Sequence, residues 1–230
     1  MLSVLLATAV AGTWKNPAAL RDDALVTGSV GSSVSSRPLS IRDCEGDSCQ
    51  TTETRTVQTA RLELRPHDLI SVWAEGGRAH QVVGGTGHDA TGVLLSAGVH
   101  LALPRHGWRP AVSARGTRVK TGQLAGEATS SSAFDQVDLA AFAAWGDHDE
   151  QLMVWFGVET AVQNTLGMDD PSTESVLWMD PKWPAAAVAG GEVWSTPLGP
   201  PWGRGARLRA GLEVRAGSSM SLGVWLSLSA

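Results

Sequence analysis

A chain of 230 residues and 24.1 kDa is long enough to bury one large β core or two small ones, and its low charge with ample Val, Leu and Trp argues against disorder. A net charge of −5 lacks the basic excess of a nucleic-acid binder, so no nucleic-acid partner is expected. No stretch reaches the roughly 18 apolar residues of a spanning helix, which excludes an α-helical membrane protein; ten Trp and three Phe with no Tyr stay to be explained.

Residues 2–10 are apolar, and Ala9, Val10 and Ala11 precede Gly12 in A-x-A form. Residues 1–11 therefore read as a secretory signal peptide, although no Lys or Arg precedes the apolar run. A buried N-terminal strand or helix is the alternative. Residues 12–23 form a short N-terminal segment and 24–230 a single domain. Its first strand is expected at 24–36. A polar loop at about 42–53 holds Cys44 and Cys49, whose spacing in an exported chain favours a disulfide over free thiols. With no His beside them they do not suit a metal.

Strands follow at 56–65 and 68–78 around a tight turn, and then a loop at 79–89. The glycines of that loop precede no helix that could cradle a phosphate. In 90–103, Val93, Leu95, Ala97, Val99, Leu101 and Leu103 share one face, with Ser96, Gly98 and His100 on the other. A turn at 104–107 leads to a strand at 108–119, a loop at 121–134 and a strand at 135–146. In 150–163, Leu152, Val154, Phe156, Val158 and Val162 oppose Met153, Trp155, Gly157, Glu159 and Gln163. A longer loop at 164–184, acidic over 168–174, precedes the weakest strand, at 184–194. The segment 205–215 and a final strand through Leu222, Val224, Leu226 and Leu228 complete the series. His67, His106 and His148 sit in tight turns and read as solvated.

Tight and long connections alternate, which describes an antiparallel up-and-down meander with its short turns at one end. About ten strands fit an even-numbered closed barrel, and eight is the alternative. The apolar faces carry no charge across their central stretches. The opposite faces carry Gly, Ala, Ser, Thr, Trp73, Phe142, Trp155 and Trp225. Their charges balance: Arg61, Arg109, Arg115, Arg207, Arg209 and Arg215 stand against Glu63, Glu75, Asp138, Glu159, Glu192 and Glu213. A confined interior requires such balance and a solvated face does not. A transmembrane barrel is therefore favoured over a secreted soluble β-sandwich or barrel binding protein.

On these segments, turns and final strand the chain resembles the small bacterial outer-membrane β-barrel proteins, over residues 24–230. The resemblance implies a Gram-negative outer membrane as location, rather than the periplasm or medium. It also implies lipid around the strands and insertion through the barrel-assembly machinery, which reads the last strand. Ala230 stands where that class has an aromatic residue. Trp108 and Trp145 are expected to face outward beside the short turns, as part of an interfacial belt.

Two pairings bear on chemistry. A tight turn at 146–149 sets Asp138 opposite Glu159, with Arg115 as the neutralising neighbour; a tight final hairpin sets Trp225 opposite Arg209. His100 with Ser113, oriented by Asp138 or Glu159, is the pattern an outer-membrane acyl hydrolase would need, but no hydrolase motif is present. The expectation is a non-enzymatic barrel without cofactor or metal. Its lumen is filled by charged side chains and Trp, with a structural or surface-binding role at loops 42–53, 121–134 and 164–184. A narrow channel or transporter is the alternative.

Overall fold

The computed structural model describes residues 14–15, 25–41, 50–85, 88–103, 107–122, 131–146, 151–170, 175–181, 185–195, 198, 206–217 and 219–229. The expected signal peptide, Cys44 and Cys49 lie outside the described residues. All regular structure among the described residues is β: β1 (Val26–Ile41), β2 (Gln50–His67), β3 (Ile70–Val83), β4 (His88–Ala102), β5 (Trp108–Thr121), β6 (Ser132–Gly146), β7 (Leu152–Asp170), β8 (Ser175–Pro181), β9 (Ala185–Trp194), β10 (Arg207–Gly217) and β11 (Met220–Ser229). Strands β1 to β7, then β9, β10 and β11, pair antiparallel in chain order. β11 returns to β1 from Thr27↔Ser229 to Ser36↔Met220, closing a ten-stranded barrel.

The barrel tapers. β8 pairs with the upper end of β7 (Leu166↔Met179 to Asp170↔Ser175) and with the upper end of β1 (Leu39↔Pro181 to Ile41↔Met179). The β10–β11 hairpin stops below it, at Gly217 and Met220. Ten strands thus close the lower barrel and eight, β1 to β8, close a ring above.

Several stretches expected to be loops are strand. β3 reaches Val83 and β4 starts at His88, leaving little of the loop at 79–89; β7 reaches Asp170, and β8 occupies half of the rest of 164–184. These segments keep buried inward residues (Ala79, Val83, Leu166 and Met168) while some of their outward residues, such as His80 and Asp89, are polar and exposed. Polar outward faces above an apolar belt read as loop in the sequence.

The distribution of side chains is inverted relative to a soluble protein. Leu95, Val112, Phe156, Val158 and Leu212 point outward and are exposed, whereas Arg61, Glu75, Arg115, Asp138 and Glu159 point inward and are buried. Such an apolar exterior demands a lipid neighbour. On β5 the outward face runs from Trp108 to Gly116 without a charge, and Arg118 is the first. About nine residues of tilted strand match the roughly 25 Å apolar band of an outer-membrane barrel. Trp108 pairs with Trp145 at the short-turn rim, both exposed, and Trp108 meets the Phe156 ring edge-on at 5.6 Å.

The narrow interior holds large aromatics because each lies across a glycine. Trp73 faces Gly98, Phe142 faces Gly157, Trp155 faces Gly190 and Trp225 faces Gly211 in the cross-strand register. A Cβ on Gly211 would sit 2.3 Å from Trp225 Cζ2, and one on Gly190 2.4 Å from Trp155 Cζ2. The rings cover backbone that no side chain shields, which stabilises strand glycines.

Candidate functional site

The barrel interior gathers the charged residues. Arg61, Glu75, Arg109, Arg115, Asp138, Glu159, Glu192, Arg209, Glu213 and Arg215 are buried there, and Glu63 and Arg207 are half-buried. Arg115 on β5 is the central cation: its Nε and Nη2 donate to Asp138 Oδ2 at 3.0 and 2.7 Å, and Nη2 lies 3.7 Å from Glu159 Oε2. Arg215 approaches Glu159 Oε1 at 2.9 Å and Glu213 Oε1 at 3.7 Å. Glu192 accepts from Trp225 Nε1 at 3.1 Å and lies 3.9 Å from Arg209, whose guanidinium stacks 4.2 Å from the centre of Trp194. Taking such charges out of water costs several kcal/mol each unless they are paired and hydrogen-bonded, so they fold as a set.

Two expected pairings shift by two residues. Glu159 faces Ala140, and Asp138 faces Ala161; Trp225 faces Gly211, and Arg209 faces Ser227. The β6–β7 turn is longer than the tightest reading of the sequence allows, and the β10–β11 turn is centred one residue further along the chain. A two-residue slip keeps every side chain on its face but exchanges its partner. Asp138 and Glu159 therefore meet through Arg115, not directly. A bulge on β7, where Val137 pairs Gln163 and Asp138 pairs Ala161, reverses the parity beyond Val162. Gln163, expected inside, is exposed.

His100 and Ser113 are cross-strand partners, with His100 Nδ1 2.6 Å from Ser113 Oγ. The orienting acid expected for a catalytic triad is absent from the other nitrogen: His100 Nε2 lies 2.8 Å from Arg61 Nη2. Arg61 stacks 4.0 Å from the Trp73 ring centre, and its Nη2 also donates to Glu63 at 3.0 Å. Ser96 instead bonds to the Gly116 carbonyl and Thr117.

Three features were not legible as site residues. Trp14 and Lys15 of the N-terminal segment lie inside the barrel, and Trp14 is 0% exposed. Its Nε1 donates to Glu159 Oε2 at 2.7 Å, and its backbone N–H donates to the Glu213 carboxylate at 3.1 Å. Its carbonyl accepts from Arg61 at 3.3 Å. Arg115 lies 4.4 Å from its ring centre, with Phe142 edge-on at 5.7 Å. Lys15 Nζ reaches Glu75 Oε1 at 3.3 Å. A second layer sits in the upper ring, where Glu53 accepts from Arg37, Arg55 and Gln81 while both guanidiniums stack on Phe134, 4.3 and 4.1 Å from its centre. Leu39, Val57, Leu94, Val119, Leu166 and Met168 pack around them. The third is a lumenal cavity of 20 Å³ between Lys15, Ser29, Arg61, Glu192 and Arg209, room for about one water. The continued alternation of Arg37 with Leu39, and of Glu53 and Arg55 with Val57, is the signal that points to the second layer. Nothing local in the sequence of Trp14 assigns it to the lumen.

No protein-family model and no curated protein matches the sequence. Among solved structures, the chain is similar to the transport unit of the autotransporter AIDA-I from Escherichia coli: 13% identity, 91% of this chain and 90% of that one, TM-score 0.50. The translocator domain of the autotransporter NalP from Neisseria meningitidis matches at 11% identity over 90% and 88% of the two chains, TM-score 0.44. The Ralstonia pickettii toluene transporter TbuX matches at 10% identity over 96% and 94%, TM-score 0.36. The closed barrel, its apolar exterior and its charged interior define a transmembrane β-barrel. The chain has the fold of the bacterial outer-membrane β-barrel proteins, and its place is the outer membrane.

Proposed function

We propose that this barrel is plugged, and that it serves the envelope as a structural or surface-binding protein rather than as an open pore. The observation that carries this reading is the fully buried Trp14, held by Glu159, Glu213 and Arg61 in the middle of the lumen. The Arg37–Glu53–Arg55 layer above it adds a second obstruction. Ten strands enclose little space once Arg and Trp side chains point inward. Of the stretches 42–53, 121–134 and 164–184, the connections 42–49, 123–130 and 171–174 are the surface proposed for an extracellular or envelope ligand, because the flanking parts belong to strands. The alternating Leu222, Val224, Leu226 and Leu228 of β11 suit recognition by the barrel-assembly machinery. Arg61 in place of an acid beside His100 favours binding over acyl hydrolysis.

Planar-bilayer recording of the purified full chain tests this reading. Bilayers that stay at baseline over the voltage range are expected. A reproducible open-state conductance overturns it in favour of the narrow channel.

A further inference from the structure

The outward face of the barrel is not uniform. On β3 to β6, three successive cross-strand rows change character over about 13 Å of strand. The lowest, Ala74↔Ala97↔Gly116↔Val137, is built mainly of small residues. The next, Gly76↔Leu95↔Arg118↔Asp135, brings the first charges, and the third, Arg78↔Val93↔Lys120↔Ala133, adds two cations.

The small residues leave a groove of about 570 Å³ lined by Ala74, Leu95, Ala97, Gly116 and Val137 together with the polar side chains of Arg118, Asp135, Gln136 and Gln163. A Cβ added at Gly116 would meet nothing within 4 Å, so this hollow is open to the lipid side. Arg118 makes a two-pronged pair with Asp135, Nε–Oδ1 at 2.6 Å and Nη2–Oδ2 at 2.8 Å, leaving the net positive charge to Arg78 and Lys120. Neither makes an ion pair among the described residues. Both are exposed.

The position of this patch selects its occupant. The start of β1 and the end of β11 lie at one rim, with the β2–β3, β4–β5 and β6–β7 connections; in outer-membrane barrels that rim is periplasmic, so the cations stand at the extracellular edge of the apolar belt. At the opposite edge the outward residues Leu64, Ile70, Leu101, Trp108 and Trp145 carry no charge. The outer leaflet of this membrane is built of phosphorylated glycolipid, which presents phosphate at the height of Arg78, Arg118 and Lys120 and acyl chains at the height of the groove. We propose that this face is a binding site for the phosphorylated glycolipid of the outer leaflet, with a headgroup phosphate on Arg78 and Lys120 and one acyl chain lying over Gly116. The proposal rests on the membrane location and stands whether or not the lumen conducts.

The test uses the full chain folded in detergent micelles, titrated with purified lipopolysaccharide and, separately, with enzymatically dephosphorylated lipopolysaccharide. Each basic side chain at an anionic membrane surface contributes roughly fivefold, so Arg78→Gln with Lys120→Gln should weaken binding about 30-fold. The pair Arg78→Lys with Lys120→Arg should retain it. Gly116→Leu, which fills the groove with both cations in place, should weaken binding at least tenfold and should weaken the dephosphorylated glycolipid as well. Heat-modifiable gel migration reports that each variant remains folded; all three positions are on the exterior, outside the lumenal network. Equal affinity of the wild type for phosphorylated and dephosphorylated glycolipid overturns the phosphate assignment. Unchanged affinity in Gly116→Leu overturns the groove. Competition by millimolar inorganic phosphate as effective as that by glycolipid makes the site a simple anion patch and also overturns the proposal.

Discussion

Replacing Trp14 by Ala probes the inserted N-terminal segment most directly. An indole buries on the order of 200 Å², and Trp14 is 0% exposed. At roughly 25 cal/mol per Å² its transfer alone is worth about 5 kcal/mol. The 2.7 Å hydrogen bond to the Glu159 carboxylate adds about 2 kcal/mol. Ordering the segment and partial relaxation of the site oppose these gains, and buried Trp→Ala changes cost about 3–5 kcal/mol. A loss near 4 kcal/mol multiplies the released population about a thousandfold. The bond after Lys15 is the reporter: Lys15 is 7% exposed in the docked state, so trypsin reaches it only after release. Mass spectrometry of the folded protein in micelles should show cleavage after Lys15 rising by two to three orders of magnitude in Trp14→Ala. Equal cleavage in wild type and variant would refute the docking argument, whatever the conductance.

Arg115→Leu removes the cation shared by Asp138 and Glu159 and should cost about 3–5 kcal/mol, read as a lower temperature for the heat-modifiable gel shift. Adding Asp138→Asn to it should restore part of that loss. Gly211→Ala forces a Cβ into Trp225 and should cost about 1–3 kcal/mol, whereas Gly116→Ala, with open space, should cost less than 0.5 kcal/mol; both are read from urea unfolding in micelles. Arg37→Ala leaves Glu53 with Arg55 and Gln81 and bares one face of Phe134; slower refolding into micelles and a lower unfolding midpoint are expected.

The strands were legible because period two assigns each residue to a face independently of its partner. Leu152, Val154 and Phe156 face outward, and Met153, Trp155 and Glu159 inward, as alternation requires. Partner identity was not legible, because the length and position of a turn set register: the longer β6–β7 turn moved Glu159 from Asp138 to Ala140. The bulge at Val162 breaks the only rule that had placed Gln163 inside. β8 escaped notice because it has seven residues and sits in a stretch rich in acids and Pro, and its pairing depends on β1, more than 130 residues away in sequence. Trp14 is set by tertiary contact alone, and no local pattern encodes it.

β8 gives the barrel two closures instead of one. Along β1, the lower seam is the ladder with β11, and the upper seam is the short ladder with β8. Parting β1 from β11 opens the wall only as far as the top of the β10–β11 hairpin, because the eight-stranded hoop above still joins β7 to β1 through β8. A cylinder with a single seam unrolls once that seam yields. This one must lose two ladders that share a strand and lie at different heights, so a sideways breach in the membrane is bounded above by a girdle that stays closed.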